Sequence, residues 1–308
     1  MNNSSFTERG TGVLLVLSAA VFWSFSGISV KSMPGISPLL ITGYRSVFTF
    51  ILMLGYFTLA CGGVKPAVTT GLQAMSFKRA WGSAFCYALM LVMFISATSY
   101  TTAANAILLQ YSAPLYVALL SFSMLGERVR PREWLTLGGC LAGVLMFFGE
   151  KLSAQGMWGN VLAVLSGVAC ALNTIFMRSL SKVTGKGAFA PETPQKVSLA
   201  FPAVITGNIL TVIICLPWMV DSAHLTTSYW GILVFLGFIQ LGLPYILFTL
   251  GIAKLGAVEV MILAMTEAVL NPLWVALFNG EMPSTLACFG GTLILISIGI
   301  YGWLKQES

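Results

Sequence analysis

Ten long apolar runs follow one another along this chain and leave little room for anything else. They fall near 12–31, 38–60, 80–98, 102–125, 133–149, 157–177, 198–219, 229–251, 257–279 and 284–303. A bilayer core needs roughly 20 apolar residues of helix to cross it. The runs therefore read as ten transmembrane helices of an all-α integral membrane protein. Charged residues make up only 8% of the 308 positions, against about a quarter in a soluble domain. Such a surface could not stay in water, so a soluble fold is excluded. The formal charge of +6 signals no nucleic-acid partner, because the basic residues are sparse and sort by membrane side.

With the N-terminus in the cytoplasm, the cytoplasmic segments hold Arg9, Lys65, Lys78, Arg79, Arg128, Arg130, Arg132, Arg178, Lys182, Lys186, Lys196, Lys254 and Lys305. The outer segments hold only Lys31 and Lys151, and Arg45 lies inside the second run. Basic loops stay in the cytoplasm. One run more or fewer would scramble the alternation, so both termini are expected inside, in a cell membrane, most naturally a bacterial cytoplasmic one. The uncharged stretch 13–30 is too long for a signal-peptide core and is kept as the first span. The longest polar stretch, 179–197, reads as a cytoplasmic connector. Six scattered cysteines form no CxxC pair, so neither zinc nor redox chemistry is suggested.

The chain also resembles itself. VLLVLS at 13–18 returns as VLAVLS at 161–166. At an offset of 154 residues Ala103 meets Ala257, Leu109 meets Leu263, Leu119 meets Leu273, and Leu125-Gly126-Glu127 meets Asn279-Gly280-Glu281. Residues 1–152 and 153–308 thus read as two copies of a five-helix unit. An odd number of spans per copy turns the second upside down, as in carriers built from inverted repeats.

The stretch 99–149, containing TTAANAILLQYSAPLYVALLSFSMLGERVRPREWLTLGGCLAGVLMF, resembles the drug/metabolite transporter superfamily, specifically its EamA-type exporters. Pro114, Gly126-Glu127 and the glycine-rich fifth run carry the likeness, and Phe22-Trp23, Lys31, Tyr44 and Arg45 are similar to that family's first two helices. The second copy departs from the pattern, with Ala268 opposite Pro114 and Pro272 four residues on. The resemblance implies secondary transport, most often export of amino acids, other metabolites or toxic compounds.

Ionisable residues inside a span are expensive and therefore functional candidates. Glu267 sits mid-way along the ninth run, with Asn271 and Trp274 one and two turns on along the same face. Arg45 lies in the second run beside Tyr44, placed either to snorkel outward or to line a substrate path. Trp23, Ser26, Asn105, Gln110, Tyr111, Asn173 and Gln240 complete the candidate lining, though each deep amide can equally bond a neighbouring helix. Glu259 reads as a helix N-terminal carboxylate, and Glu127 as a partner for Arg128 or Arg132. Gly139 and Gly143 form a GxxxG pair suited to close helix contact, with a homodimer as one outcome.

Three classes stay open. A secondary carrier of small metabolites leads, with protons as a possible coupling ion. An intramembrane enzyme lacks any HExxH, GxSxG or metal cluster, and no Walker A sequence occurs, so no catalytic residue, metal or cofactor is expected. A non-transporting membrane scaffold or assembly subunit is the third.

Overall fold

The computed structural model describes residues 3–25, 33, 35–149, 156–183, 197–220, 225–279 and 284–306. Ser26, Lys31, Lys151, most of 179–197, His224 and Glu281 lie outside the described residues. Within them the chain is helical, with no strand. In order the helices are α1 (Asn3–Trp23), α2 (Pro38–Ala60), α3 (Val64–Met75), α4 (Lys78–Tyr100), α5 (Ala103–Gln110), α6 (Ala113–Leu125) and α7 (Pro131–Phe148). There follow α8 (Met157–Ser181), α9 (Ala200–Met219), α10 (Thr227–Phe235), a π-helical turn (Leu236–Gly242), α11 (Leu243–Ile252), α12 (Ala257–Ala264), α13 (Thr266–Asn279) and α14 (Thr285–Gln306).

Among the described residues, eight stretches are long and apolar enough to cross a membrane: Pro38–Ala60, Lys78–Tyr100, Ala103–Leu125, Met157–Ser181, Ala200–Met219, Thr227–Ile252, Ala257–Phe278 and Thr285–Lys305. The other two expected runs are helices as well, α1 and α7. Glu8 and Arg9 in α1, and Arg132 and Glu133 in α7, shorten their uncharged length. Two expectations need correcting. The first helix begins earlier than the sequence suggested, at Asn3, and the remainder of that run beyond residue 25 lies outside the described residues. The segment around Lys65, expected only as a cytoplasmic connection between two runs, holds helix α3.

The main packing pairs come in matched sets. Helix α4 lies along α8, and α1 lies along α11; α5 and α6 pack on α8, while α12 and α13 pack on α1. Helix α2 pairs with α9, and α7 with α14. The last pair explains the GxxxG motif. A Cβ on Gly143 would stand 2.6 Å from the Gly290 carbonyl oxygen, and one on Gly139 would strike the Ser297 hydroxyl. Small residues let these two backbones close up within one chain, so the motif serves a contact between α7 and α14.

Three helical irregularities sit in the middle of the bundle. Pro114 has no N–H to offer the Gln110 carbonyl, and the helix breaks between Gln110 and Ala113. The equivalent helix breaks at Met265, with Ala268 rather than a proline in the matching place; Pro272 lies further along, inside α13. Between α10 and α11 the chain widens into a π-turn. Its Gly237 carbonyl accepts a hydrogen bond from Thr49 Oγ1 at 2.9 Å, which satisfies a group the regular ladder would have paired.

Candidate functional site

The three irregularities surround one cavity of about 200 Å³. Gln110, Tyr111, Ala113 and Pro114 line it from the first break, and Ala264, Met265 and Glu267 from the second. Gln240 and Leu241 enter from the π-turn, with Arg45 from α2, Trp23 from the end of α1 and Asn173 from α8. The breaks are why these groups are reachable. A continuous helix turns its carbonyls and amides inward on itself, whereas an interrupted one presents chain ends to the hollow.

Arg45 reaches across to Gln240, its Nη1 donating to Oε1 at 3.5 Å. Gln240 in turn donates from Nε2 to the Trp23 carbonyl at 3.1 Å, which fixes its orientation. Among the described residues, the buried Arg45 Nε has no hydrogen-bond acceptor. A buried donor left unsatisfied costs about 1–3 kcal/mol, so this guanidinium has an unmet demand for an acceptor. Glu267 stands in the first turn of α13, where the positive end of the helix dipole favours a carboxylate. Among the described residues it makes no ion pair or hydrogen bond. Two other amides of the lining are already engaged. Asn173 Oδ1 accepts from Ser83 at 2.7 Å, and Gln110 Nε2 donates to Ser166 Oγ at 2.9 Å.

Sequence reasoning and the cavity overlap in Trp23, Arg45, Gln110, Tyr111, Asn173, Gln240 and Glu267. Other candidates are placed elsewhere. The Tyr44 hydroxyl donates to the Met219 carbonyl at 3.2 Å, and its ring meets Trp230 edge-on. Asn105 ties the α5 N-terminus to Thr101 and to Asn160 of α8, both at 3.1 Å. Trp274 donates to Ser24 Oγ at 2.8 Å and stacks on Phe25. Asn271 is one turn from Glu267 on α13 but outside the lining. The cavity adds residues the sequence did not mark: Tyr245, Phe248, Phe94, Thr174, Cys170 and several methionines. Tyr245 and Phe248 hold Trp23, each ring centroid 5.2 Å away. Apolar and aromatic side chains look alike in any span, and only the Trp23 pattern offered a hint.

A second constellation occupies one end of the bundle. Glu127 Oε1 pairs with Arg178 Nε at 2.9 Å and Lys182 Nζ at 2.8 Å, and Oε2 accepts the Ala257 N–H at 3.0 Å. Arg178 also donates to the Ile252 and Ala253 carbonyls at the end of α11. Of the expected partners, Arg128 lies on Glu127's own connection and Arg132 in the first turn of α7, and the carboxylate instead turns toward α8 and α12. Burial alone would raise the Glu127 carboxyl. The bonds from Lys182, Ala257 N–H and Arg178 outweigh it and hold the group below the usual carboxylate range. Glu259, buried at the start of α12, pairs with Arg9 at 3.0 Å and Lys305 at 2.6 Å. Glu133 caps α7 through the Arg130 N–H and accepts from the Tyr301 hydroxyl at 3.1 Å. Apart from the α7 cap and the Arg178 bonds to the Ile252 and Ala253 carbonyls, these links join residues before 150 to residues after 156, or the end of α14 to α12.

The profile of the EamA-like transporter family matches this chain twice, over residues 10–149 and 157–303. The chain belongs to the EamA-like transporter family. It is a multi-pass membrane transporter. Among proteins similar to this EamA-like transporter is the pseudopaline exporter CntI of Pseudomonas aeruginosa, 27% identical over 93% of this chain and 94% of that protein. An uncharacterized transporter of Archaeoglobus fulgidus is 26% identical over 92% and 93% of the two chains. A solved crystal structure shares the fold, with a TM-score of 0.78, 18% identity and coverage of 96% of this chain and 98% of that one.

Proposed function

We propose that this EamA-like transporter is a secondary exporter of amino acids or related zwitterions, working by alternating access between inverted five-helix halves at 1–152 and 153–308. The observation that carries the reading is the pair of broken helices around one cavity. Helices α5 and α12 run over 103–110 and 257–264, so both begin and end 154 residues apart, the same offset found in the sequence. Ten spans, both termini in the cytoplasm of the cell membrane, accommodate this symmetry and the basic-residue asymmetry together. Discontinuous helices at a repeat interface are where carriers of this architecture bind substrate.

In this reading Arg45 receives the substrate carboxylate, with its Nε–H and the Nη1 held by Gln240 forming a planar fork. Glu267 either faces the substrate ammonium or carries the coupled proton. Trp23, Tyr245 and Phe248 offer surface to the apolar part. The links among Arg9, Glu127, Glu133, Arg178, Glu259 and Lys305 close the cytoplasmic end, and they break when the cavity opens there. That CntI is an exporter supports the outward direction, and its name supports a metabolite cargo.

Comparing metabolites in cells lacking and overproducing the protein identifies the cargo, and vesicle efflux of that compound then tests the mechanism. Efflux is expected to follow an imposed proton gradient, and Glu267→Gln is expected to leave insertion intact while flattening its pH dependence. An unaltered pH profile in Glu267→Gln removes both roles of that residue. Absence of any efflux from folded protein favours the scaffold reading.

A further inference from the structure

Helix α3 has three faces. Ala67, Thr70 and Ala74 are buried against the bundle, and Met75 receives a contact from the Thr206 hydroxyl of α9. Lys65 and Thr69 form an exposed polar strip. Val64, Val68 and Leu72, spaced four apart on one stripe, point outward with exposures of 68%, 55% and 70%. Three apolar side chains this exposed need a cover, and neighbouring surface indicates which. Leu59 near the end of α2, Phe77 just before α4, and Trp81 and Phe85 on α4 are exposed as well. Leu59 and Phe85 lie on helices long and apolar enough to cross the membrane, so the apolar face of α3 continues the lipid-facing band. Trp81 donates to the Met75 carbonyl at 2.9 Å and fastens the α3 C-terminus to the start of α4. A tryptophan at this junction suits the headgroup level. Lys65 and Lys78 flank the stripe and are exposed.

We infer that α3 is an in-plane interfacial helix whose Val64–Val68–Leu72 stripe seats in the cytoplasmic leaflet while Lys65 and Lys78 engage anionic phospholipid headgroups. The physical logic is that of amphipathic surface helices. Their apolar stripe sinks about 5–10 Å into the headgroup and acyl boundary, and basic residues add attraction to negative lipid. The inference depends on membrane insertion and on the end of the bundle that holds Lys65. It is independent of substrate and of proton coupling.

A bimane probe at Val68→Cys, in full-length protein carrying Cys288→Ser, tests it after reconstitution into vesicles of phosphatidylcholine with or without phosphatidylglycerol. Lipids brominated near the headgroup are expected to quench the probe at least about twofold more than aqueous iodide does, with the reverse at Thr69→Cys. Phosphatidylglycerol is expected to strengthen the lipid quenching, and Lys65→Gln with Lys78→Gln to abolish that gain. Iodide quenching dominant at both positions would place the stripe in water and overturn the inference. Efficient crosslinking of Val68→Cys between two copies would assign the stripe to a dimer and overturn it as well. Equal quenching in both vesicle types would overturn the headgroup contact.

Discussion

Arg45 shows how much a single residue can declare. Holding a charge at depth in hydrocarbon costs about 3 kcal/mol, so its presence in α2 asks for a compensating role. The geometry supplies one in the buried, unpartnered Nε and the Gln240 oxygen 3.5 Å from Nη1. Lysine keeps the charge and loses the planar fork. Arg45→Lys is therefore expected to weaken transport of a carboxylate substrate by about tenfold or more, through KM first, at unchanged protein levels. Wild-type kinetics in both Arg45→Lys and Arg45→Gln would show that the side chain never meets the substrate. Arg45 and Glu267 were legible in the sequence because charge in a span is rare. The amides were less so. Asn105 ties one helix to the next and Tyr44 bonds a carbonyl, since the same donors serve packing and ligands alike.

At the scale of elements, the helices were readable from hydropathy, and their interruptions were not. Val64, Val68 and Leu72 carry a four-residue spacing, but between two membrane-length runs so short a segment, with Lys65, Lys78 and Arg79, reads from hydropathy only as a basic connection. The π-turn has no residue signature of its own beyond Pro244, and the break at Met265 has no proline where the first half has one. Pairing of α7 with α14 rests on a different signal, the glycines. A Cβ at Gly143 meets the Gly290 backbone, whereas one at Gly138 meets nothing within 4 Å. Gly143→Ala is expected to destabilise the detergent-solubilised protein by about 1–3 kcal/mol, read as a lower thermal midpoint. Gly138→Ala should be neutral or slightly stabilising, because alanine is the better helix former. Equal effects at the two sites would mean that α7 and α14 are not so closely packed.

For the whole molecule, stability and conformation meet in the ionic links at one end. Because Glu127 is held below the usual carboxylate range in the fold, its contribution is full above the ordinary carboxyl value of about 4.3 and is lost as pH falls through the lower folded value. The thermal midpoint of the solubilised protein should therefore drop on acidification below about pH 4. Glu127→Gln should lower the midpoint at neutral pH by an amount equivalent to about 2 kcal/mol and flatten the acid limb. An unchanged acid limb in Glu127→Gln would put the effect in other carboxylates.

Glu127 also belongs to the far end of a rigid rod. From the break at Tyr111 and Ser112, α6 runs uninterrupted over Ala113–Leu125, a length of about 20 Å at 1.5 Å per residue. A pivot of about 10° at the break swings the carboxylate by about 3 Å, while a charge-assisted hydrogen bond tolerates only a few tenths of an ångström before it weakens. Helix α12 is the shorter rod on the opposite side, with Ala257 at its tip under the same carboxylate and the Met265 break at its foot. On the proposed alternating-access reading, a substrate settling between the two feet needs no large displacement of its own. Lever length converts a small angular adjustment in the cavity into the making or parting of one latch.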